Sequence, residues 1–270
     1  MQPSPVSMDY DHPACRAIGR KIRAQAPFVY GLTNYVAATL SANVLLAVGA
    51  APAIGAAPGW ASGFGARAGA VWINAAGLIN GSMAAMQVAV AAANASQVPW
   101  VLDPVAMGAG VAEYDALVRQ LAGSGPAVIR GNASEIMALA GGASTARGVE
   151  TTVTIAQAVP LGRVLARERN AIVAISGEKD HILAPDGQMV VVPGGHRLLT
   201  AVTGAGCALG GLIAAALAVT QAGPERPVAV VAVHALYARA AEMAARNAQG
   251  TASFAMGFVD ALSRLQQTAG

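Results

Sequence analysis

The run Thr203-Gly204-Ala205-Gly206-Cys207 stands directly before an apolar stretch, Ala208 to Val219, that reads as a helix. Two glycines at a helix start leave backbone N–H groups without intrahelical acceptors, and the positive end of the helix dipole points the same way. Gly204, Ala205 and Gly206 are therefore expected to form a hole for an anion such as a transferred phosphate. The same dipole would favour a thiolate at Cys207. At this point a plain tight turn and an ordinary buried cysteine remain open as alternatives.

Charge is scarce elsewhere, so where it falls is informative. Asp103-Pro104-Val105 follows the apolar segment Trp100–Leu102, and Arg130-Gly131-Asn132-Ala133-Ser134-Glu135 follows Ala127–Ile129. Carboxylates at Asp103 and Glu135 suit Mg²⁺, which takes one or two carboxylates and otherwise keeps water and phosphate oxygens. The guanidinium of Arg130 suits phosphate. Ser176, at the end of Ala171–Ile175, offers a hydroxyl to a nucleotide phosphate. The bland readings are a first-turn acid for Glu135, a cap or Asx turn ahead of Gly108 for Asp103, and a turn cap for Ser176. Together an anion cradle, a cation and a metal site are the equipment of phosphoryl transfer. No Walker A sequence and no kinase-type glycine loop is present, which argues against a P-loop enzyme and a protein kinase.

These residues must be held by elements the rest of the chain supplies. The 270 residues include 31 glycines, are 55% hydrophobic and only 11% charged, and carry a net charge of +3. So small a charge argues against nucleic acid as a partner. A mean hydropathy of +0.50 raises the possibility of membrane spans. However, Ala24–Ala66 is interrupted by Pro27, Asn34, Asn43, Pro52 and Pro58, and the best candidate, Leu198–Pro224, has only Leu209–Val219 as a continuous apolar run. A span wants about 20 apolar residues, so buried strands and helices are expected instead. No basic leader followed by an apolar segment opens the chain. Cys15 and Cys207 have no metal-type spacing, and a reducing, cytoplasmic compartment is expected.

Along the chain, strands and helices alternate. Phe28–Tyr30, Ala70–Asn74, Trp100–Leu102, Ala127–Ile129 and Ala171–Ile175 read as strands. Helices are expected from a cap at Thr33 or Asn34 to Val48, from Ser82 to Gln97, and over Glu113–Leu121, Ser134–Ala140 and Thr154–Arg169. Ile182-Leu183 and Met189–Val192, around Asp186-Gly187, suggest a hairpin at the sheet's antiparallel edge. Two or three helices complete the chain. The expected fold class is α/β: one domain spanning 1–270, with an N-terminal segment and helix over 1–25, built on a mostly parallel sheet between two helix layers. Ligands in such sheets bind at the carboxyl ends of the strands.

The order Thr33-Asn34-Tyr35-Val36, Leu102-Asp103-Pro104-Val105, Ile129 to Ile136, Arg147-Gly148-Val149 and Thr203 to Cys207 resembles hydroxyethylthiazole kinase, collinearly from about Val29 to Leu262. The Arg-Gly-Asn-x-x-Glu run is specific to that family. So is a Gly-x-Gly-Cys run where related sugar kinases carry Gly-x-Gly-Asp. The resemblance implies a three-layer αβα, ribokinase-like fold and transfer of the γ-phosphate of ATP, with Mg²⁺, to the hydroxyl of 4-methyl-5-(2-hydroxyethyl)thiazole in thiamine salvage. It also implies a homotrimer with active sites at subunit interfaces. By the same resemblance Arg130 and Ser176 would bind ATP, Asp103 and Glu135 would organise Mg²⁺, and Asn34, Ile54 and Gly204 would contact the thiazole. Cys207 would stand beside the reacting hydroxyl as the catalytic residue. Ile54 occupies a position where the family has methionine, and the uncharged Gly59–Phe64 replaces an acidic helix. These departures touch the acceptor side and leave open a related kinase of another heterocyclic alcohol, such as hydroxymethylpyrimidine, or a silent member that senses its ligand.

Overall fold

The computed structural model describes residues 6–57, 59–79, 83–142 and 153–267. The cap expected at Ser82 and the Arg147-Gly148-Val149 run lie outside them. After a short strand β1 (Val6–Ser7), α1 (Pro13–Gln25) leads into the alternation β2 (Phe28–Leu32), α2 (Tyr35–Ala47), β3 (Ala51–Ile54), α3 (Trp60–Gly65), β4 (Ala70–Asn74) and α4 (Met83–Ala95). It continues through β5 (Trp100–Asp103), α5 (Ala112–Ala122), β6 (Val128–Asn132), α6 (Ala133–Leu139), α7 (Ile155–Arg169) and β7 (Ile172–Ser176). The chain closes with the hairpin β8 (Asp180–Leu183) and β9 (Met189–Val192), then α8 (Ala205–Ala218), α9 (Glu225–Ala245) and α10 (Thr251–Gln267).

Among the described residues one sheet takes nine strands, in the order β1-β9-β8-β7-β6-β5-β4-β2-β3. Neighbours pair parallel except around β8, which runs against both β7 and β9. The expected hairpin is therefore present, but β1 adds beyond it as the outermost, parallel strand.

Successive strand residues feed opposite cores, as a pleat requires. Val29, Trp72, Val101 and Val128 face α1, α2, α8, α9 and α10. Tyr30, Ile73, Leu102 and Ile129 face α4, α5, α6 and α7. Both faces are covered, which accounts for the continuous apolar runs in β2, β4, β5 and β7. Among the described residues one helix, α9, is long and apolar enough to cross a membrane, and 67% of its apolar window is buried inside the fold.

Three elements escape the sequence reading. β3 contains Pro52, which cannot donate to a ladder, and it survives because it is the sheet's edge and pairs with β2 alone. α3 forms where an acidic helix was expected to be missing. It is uncharged, and its Gly65 presses so close to α4 that a Cβ would stand 2.8 Å from the Ala89 carbonyl oxygen. β1, only two residues long, carries no pattern of its own. A fourth difference matters for chemistry: α8 begins at Ala205 rather than Ala208, so Gly206 and Cys207 belong to its first turn.

Candidate active site

The carboxyl ends of β4, β5, β6 and β7 bring Asn74, Asp103, Arg130 and Ser176 to one edge of the sheet. Register places Asn74 level with Asp103 and Asn132 level with Ser176. The start of α8 lies over this edge. Gly204, at φ +83°, turns the chain into the helix, and a Cβ there would stand only 3.1 Å from Cα of Ala37 in α2. Glycine meets both demands, the left-handed backbone and the close approach.

Arg130 joins two walls of the site. Its Nε and Nη2 donate to the Ser176 hydroxyl oxygen at 3.1 and 2.9 Å, and its Nη1 donates to the Gly206 carbonyl at 2.9 Å. With its oxygen engaged as an acceptor, Ser176 keeps its own O–H to offer. Nη1 also stands 3.6 Å from Asp103 Oδ2, an ion pair longer than a hydrogen bond. Arg130 and Cys207 are thus at one place, since Cys207 follows the residue to which Arg130 is bonded.

Asp103 has no exposed surface, and neither carboxylate oxygen has a hydrogen-bond partner among the described residues. Burial pushes its carboxyl up to about 7 against the opposing pull of Arg130. The cap reading fails: the Gly108 amide is taken instead by Asp115 Oδ1 at 2.9 Å. Glu135 is occupied differently. Its Oε2 accepts from the Asn132 amide at 2.8 Å, closing a capping box on α6, and its Oε1 accepts from the Ala106 amide at 3.0 Å. Glu135 is thus both the first-turn acid of its helix and a strut between the β6 and β5 loops. Burial raises its pKa despite those bonds.

Two expectations for α8 need correction. Ala205 donates its amide to the Val202 carbonyl at 3.1 Å, so it is not an open member of the anion hole. The first-turn amides without an intrahelical acceptor are those of Gly206 and Cys207. Nor is Cys207 a favoured thiolate: burial, with the negative charge of Asp103 next, pushes it up to about 11, outweighing the Asn74 side chain and Arg130, which lower it. The dipole loses because desolvation costs the charged sulfur more than a helix end returns.

Beside this edge lies a cavity of about 270 Å³ lined by Thr33, Asn34, Ile54, Gly55, Gly77 and Met86, among others. Asn34 is committed to capping α2, its Oδ1 accepting from the Ala37 amide at 2.8 Å, and it borders the cavity from that position. Met86 was missed by the sequence reading; it faces the cavity from α4. Gly77 explains how, because a Cβ there would meet Met86 Cε at 2.9 Å. Among the described residues the buried Thr33 hydroxyl and Trp72 indole N–H are also without hydrogen-bond partners. A methionine on a polar-ended, alanine-rich helix carries no signal that could separate it from the ordinary core.

A sequence profile of the hydroxyethylthiazole kinase family matches residues 20–268. The chain belongs to this family. Hydroxyethylthiazole kinase of Burkholderia pseudomallei is 54% identical over 260 residues, covering 96% of this chain and 92% of its own. The solved hydroxyethylthiazole kinase of Pyrococcus horikoshii superposes with a TM-score of 0.82 at 32% identity, covering 93% of this chain and 92% of that one. A ribokinase-like superfamily protein of Enterococcus faecalis superposes with a TM-score of 0.68 at 14% identity, which shows that the two share a fold. The likeness to that solved hydroxyethylthiazole kinase thus runs over nearly the whole chain and is not confined to the edge that holds Arg130.

Proposed function

We propose that this chain transfers the γ-phosphate of ATP to the primary hydroxyl of 4-methyl-5-(2-hydroxyethyl)thiazole, with Arg130 as the group that receives the phosphates. The observation that carries this reading is Arg130 itself, hung between the Ser176 hydroxyl and the Gly206 carbonyl beside an unpartnered carboxylate. Arg130 neutralises phosphate charge, Ser176 donates its hydroxyl to a phosphate oxygen, and the amides of Gly206 and Cys207 take the charge that develops on the transferred group. Gly204, Ile54 and Asn34 border the acceptor's side, where a 270 Å³ cavity matches a small heterocyclic alcohol.

The residues present fit Mg²⁺. Asp103 supplies one carboxylate with both oxygens unpartnered. No group of three or more His, Cys, Asp or Glu side chains gathers among the described residues, which suits an ion that keeps water and phosphate oxygens as most of its ligands. Asp103 would hold it, with Glu135, both of whose oxygens serve backbone amides, contributing through water. Bound there, the ion would neutralise phosphate charge. Cys207, a thiol at neutral pH, orients the acceptor hydroxyl and leaves transfer to positioning and charge neutralisation, because a loose phosphoryl transition state needs little base.

A homotrimer with shared active sites is supported by Tyr35, Val36 and Leu46, exposed apolar residues on α2, the first of which lines the cavity. Two free cysteines favour a reducing, cytoplasmic setting. ADP release with Mg²⁺ tests the substrate across the thiazole, pyrimidine and pyridoxal alcohols. The thiazole is expected to be turned over fastest, and Arg130→Ala to lower kcat/KM by about 10²–10³-fold. Faster turnover of hydroxymethylpyrimidine would overturn the acceptor assignment, and an unimpaired Arg130→Ala the phosphate assignment.

A further inference from the structure

Behind the phosphate edge, α9 presents two buried polar side chains, one turn apart, to the two walls that Arg130 joins. His234 has no exposed surface, and its Nδ1 lies 2.6 Å from Asp180 Oδ2. Asp180 begins the reversed strand β8, which returns it to the carboxyl ends of its neighbours, and its Oδ1 accepts from the Gly177 amide at 2.9 Å. That bond fixes the turn directly after Ser176. Tyr237, also buried, donates its hydroxyl to the Ala205 carbonyl at 2.6 Å, in the first turn of α8. One helix therefore braces the serine wall through His234 and the glycine wall through Tyr237.

Packing alone does not explain these choices. The other buried residues of α9 are alanines, valines and Leu236, all apolar, and a leucine or phenylalanine would fill the same space without burying polar atoms. His234 Nε2 is left buried without a hydrogen-bond partner among the described residues, a cost the fold carries for the sake of Nδ1. The Asp180 carboxylate and Arg130 are near enough for each to act on the other's charge. Held by His234, Asp180 stays on Gly177; released, it becomes a competitor for the guanidinium that phosphate must reach.

We propose that His234 and Tyr237 are positioning residues for the nucleotide: His234 restrains Asp180 and sets the Ser176 turn, Tyr237 sets the start of α8, and together they fix the gap in which Arg130 meets phosphate. The inference rests on the reading of Arg130 as the phosphate-binding group.

The test uses the full chain and His234→Leu, His234→Asn, Tyr237→Phe and Arg130→Ala, measuring KM for ATP, KM for the thiazole alcohol, kcat, and ADP affinity by calorimetry. Loss of one bracing bond is expected to raise KM for ATP and weaken ADP by about three- to tenfold in His234→Leu and Tyr237→Phe, with KM for the alcohol changed by less than about twofold. His234→Asn, which keeps a donor near the place of Nδ1, is expected to restore most of the loss. Folded variants with lowered Tm but unchanged nucleotide constants would overturn the proposal and leave both residues structural. If His234→Leu does not fold, His234→Asn and Tyr237→Phe decide on the same constants. Should Arg130→Ala leave ADP affinity intact, the reading of Arg130 fails; should it weaken ADP while His234→Leu and Tyr237→Phe do not, only the positioning roles fail.

Discussion

The guanidinium of Arg130 stands 3.6 Å from Asp103, a carboxylate with no exposed surface and, among the described residues, no hydrogen-bond partner. Burying an ion pair costs more than it returns unless the remaining lone pairs are satisfied. Here they are not, so the pair is poorly suited to stabilising the fold and well suited to receiving a ligand that completes it.

Asp103 sets a pH dependence whose sign follows from its raised pKa. Between about 4 and about 7 the native chain keeps a proton on Asp103 that the unfolded chain has lost, so this group makes the fold less stable as pH rises through that window. Asp103→Asn should flatten that part of a plot of Tm against pH. In the opposite sense, kcat/KM for MgATP should rise with pH up to about 7 as the carboxylate ionises, and Asp103→Asn should lose both the activity and the slope.

Cys207 should react as a protected thiol. With both cysteines pushed up to about 11, iodoacetamide at neutral pH should modify the native chain at least about tenfold more slowly than the unfolded chain, and the rate should climb with pH. Mass spectrometry over time reads this directly. Correspondingly, Cys207→Ala should lower kcat less than Arg130→Ala does; equal losses would restore a proton-acceptor role to the sulfur.

Gly210, within α8, has a packing reason to be glycine. A Cβ there would overlap Trp72 Nε1 and press on Asp103 Oδ2 at 3.2 Å, and Trp72 is fully buried. Gly210→Ala should destabilise by about 1–3 kcal/mol, as overpacking does. Because the displaced helix carries Gly206 and Cys207, KM for ATP should rise as well. Thermal melts and steady-state kinetics check the two effects separately.

Asn34 serves a helix and a cavity together. Asn34→Ala removes the Oδ1 acceptor from the Ala37 amide and should cost about 1 kcal/mol of stability. The change should also raise KM for the alcohol while leaving ADP affinity in place, which calorimetry would show.

The alternation of apolar strands with capped helices determined the layered α/β class, because period and punctuation are local properties. Rare charge at strand ends likewise marked Asp103, Arg130 and Glu135, and a hydroxyl at a strand end marked Ser176. Tertiary structure decided what those residues do. Glu135 became a strut because the loop after β5 delivers the Ala106 amide to it. Cys207 became a thiol because the folded chain buries it beside Asp103. Met86 and His234 reached the site, or its back, from helices distant in sequence whose patterns look like core. Desolvation and contacts between remote segments exist only once the chain is packed, and so no spacing along it could have announced them.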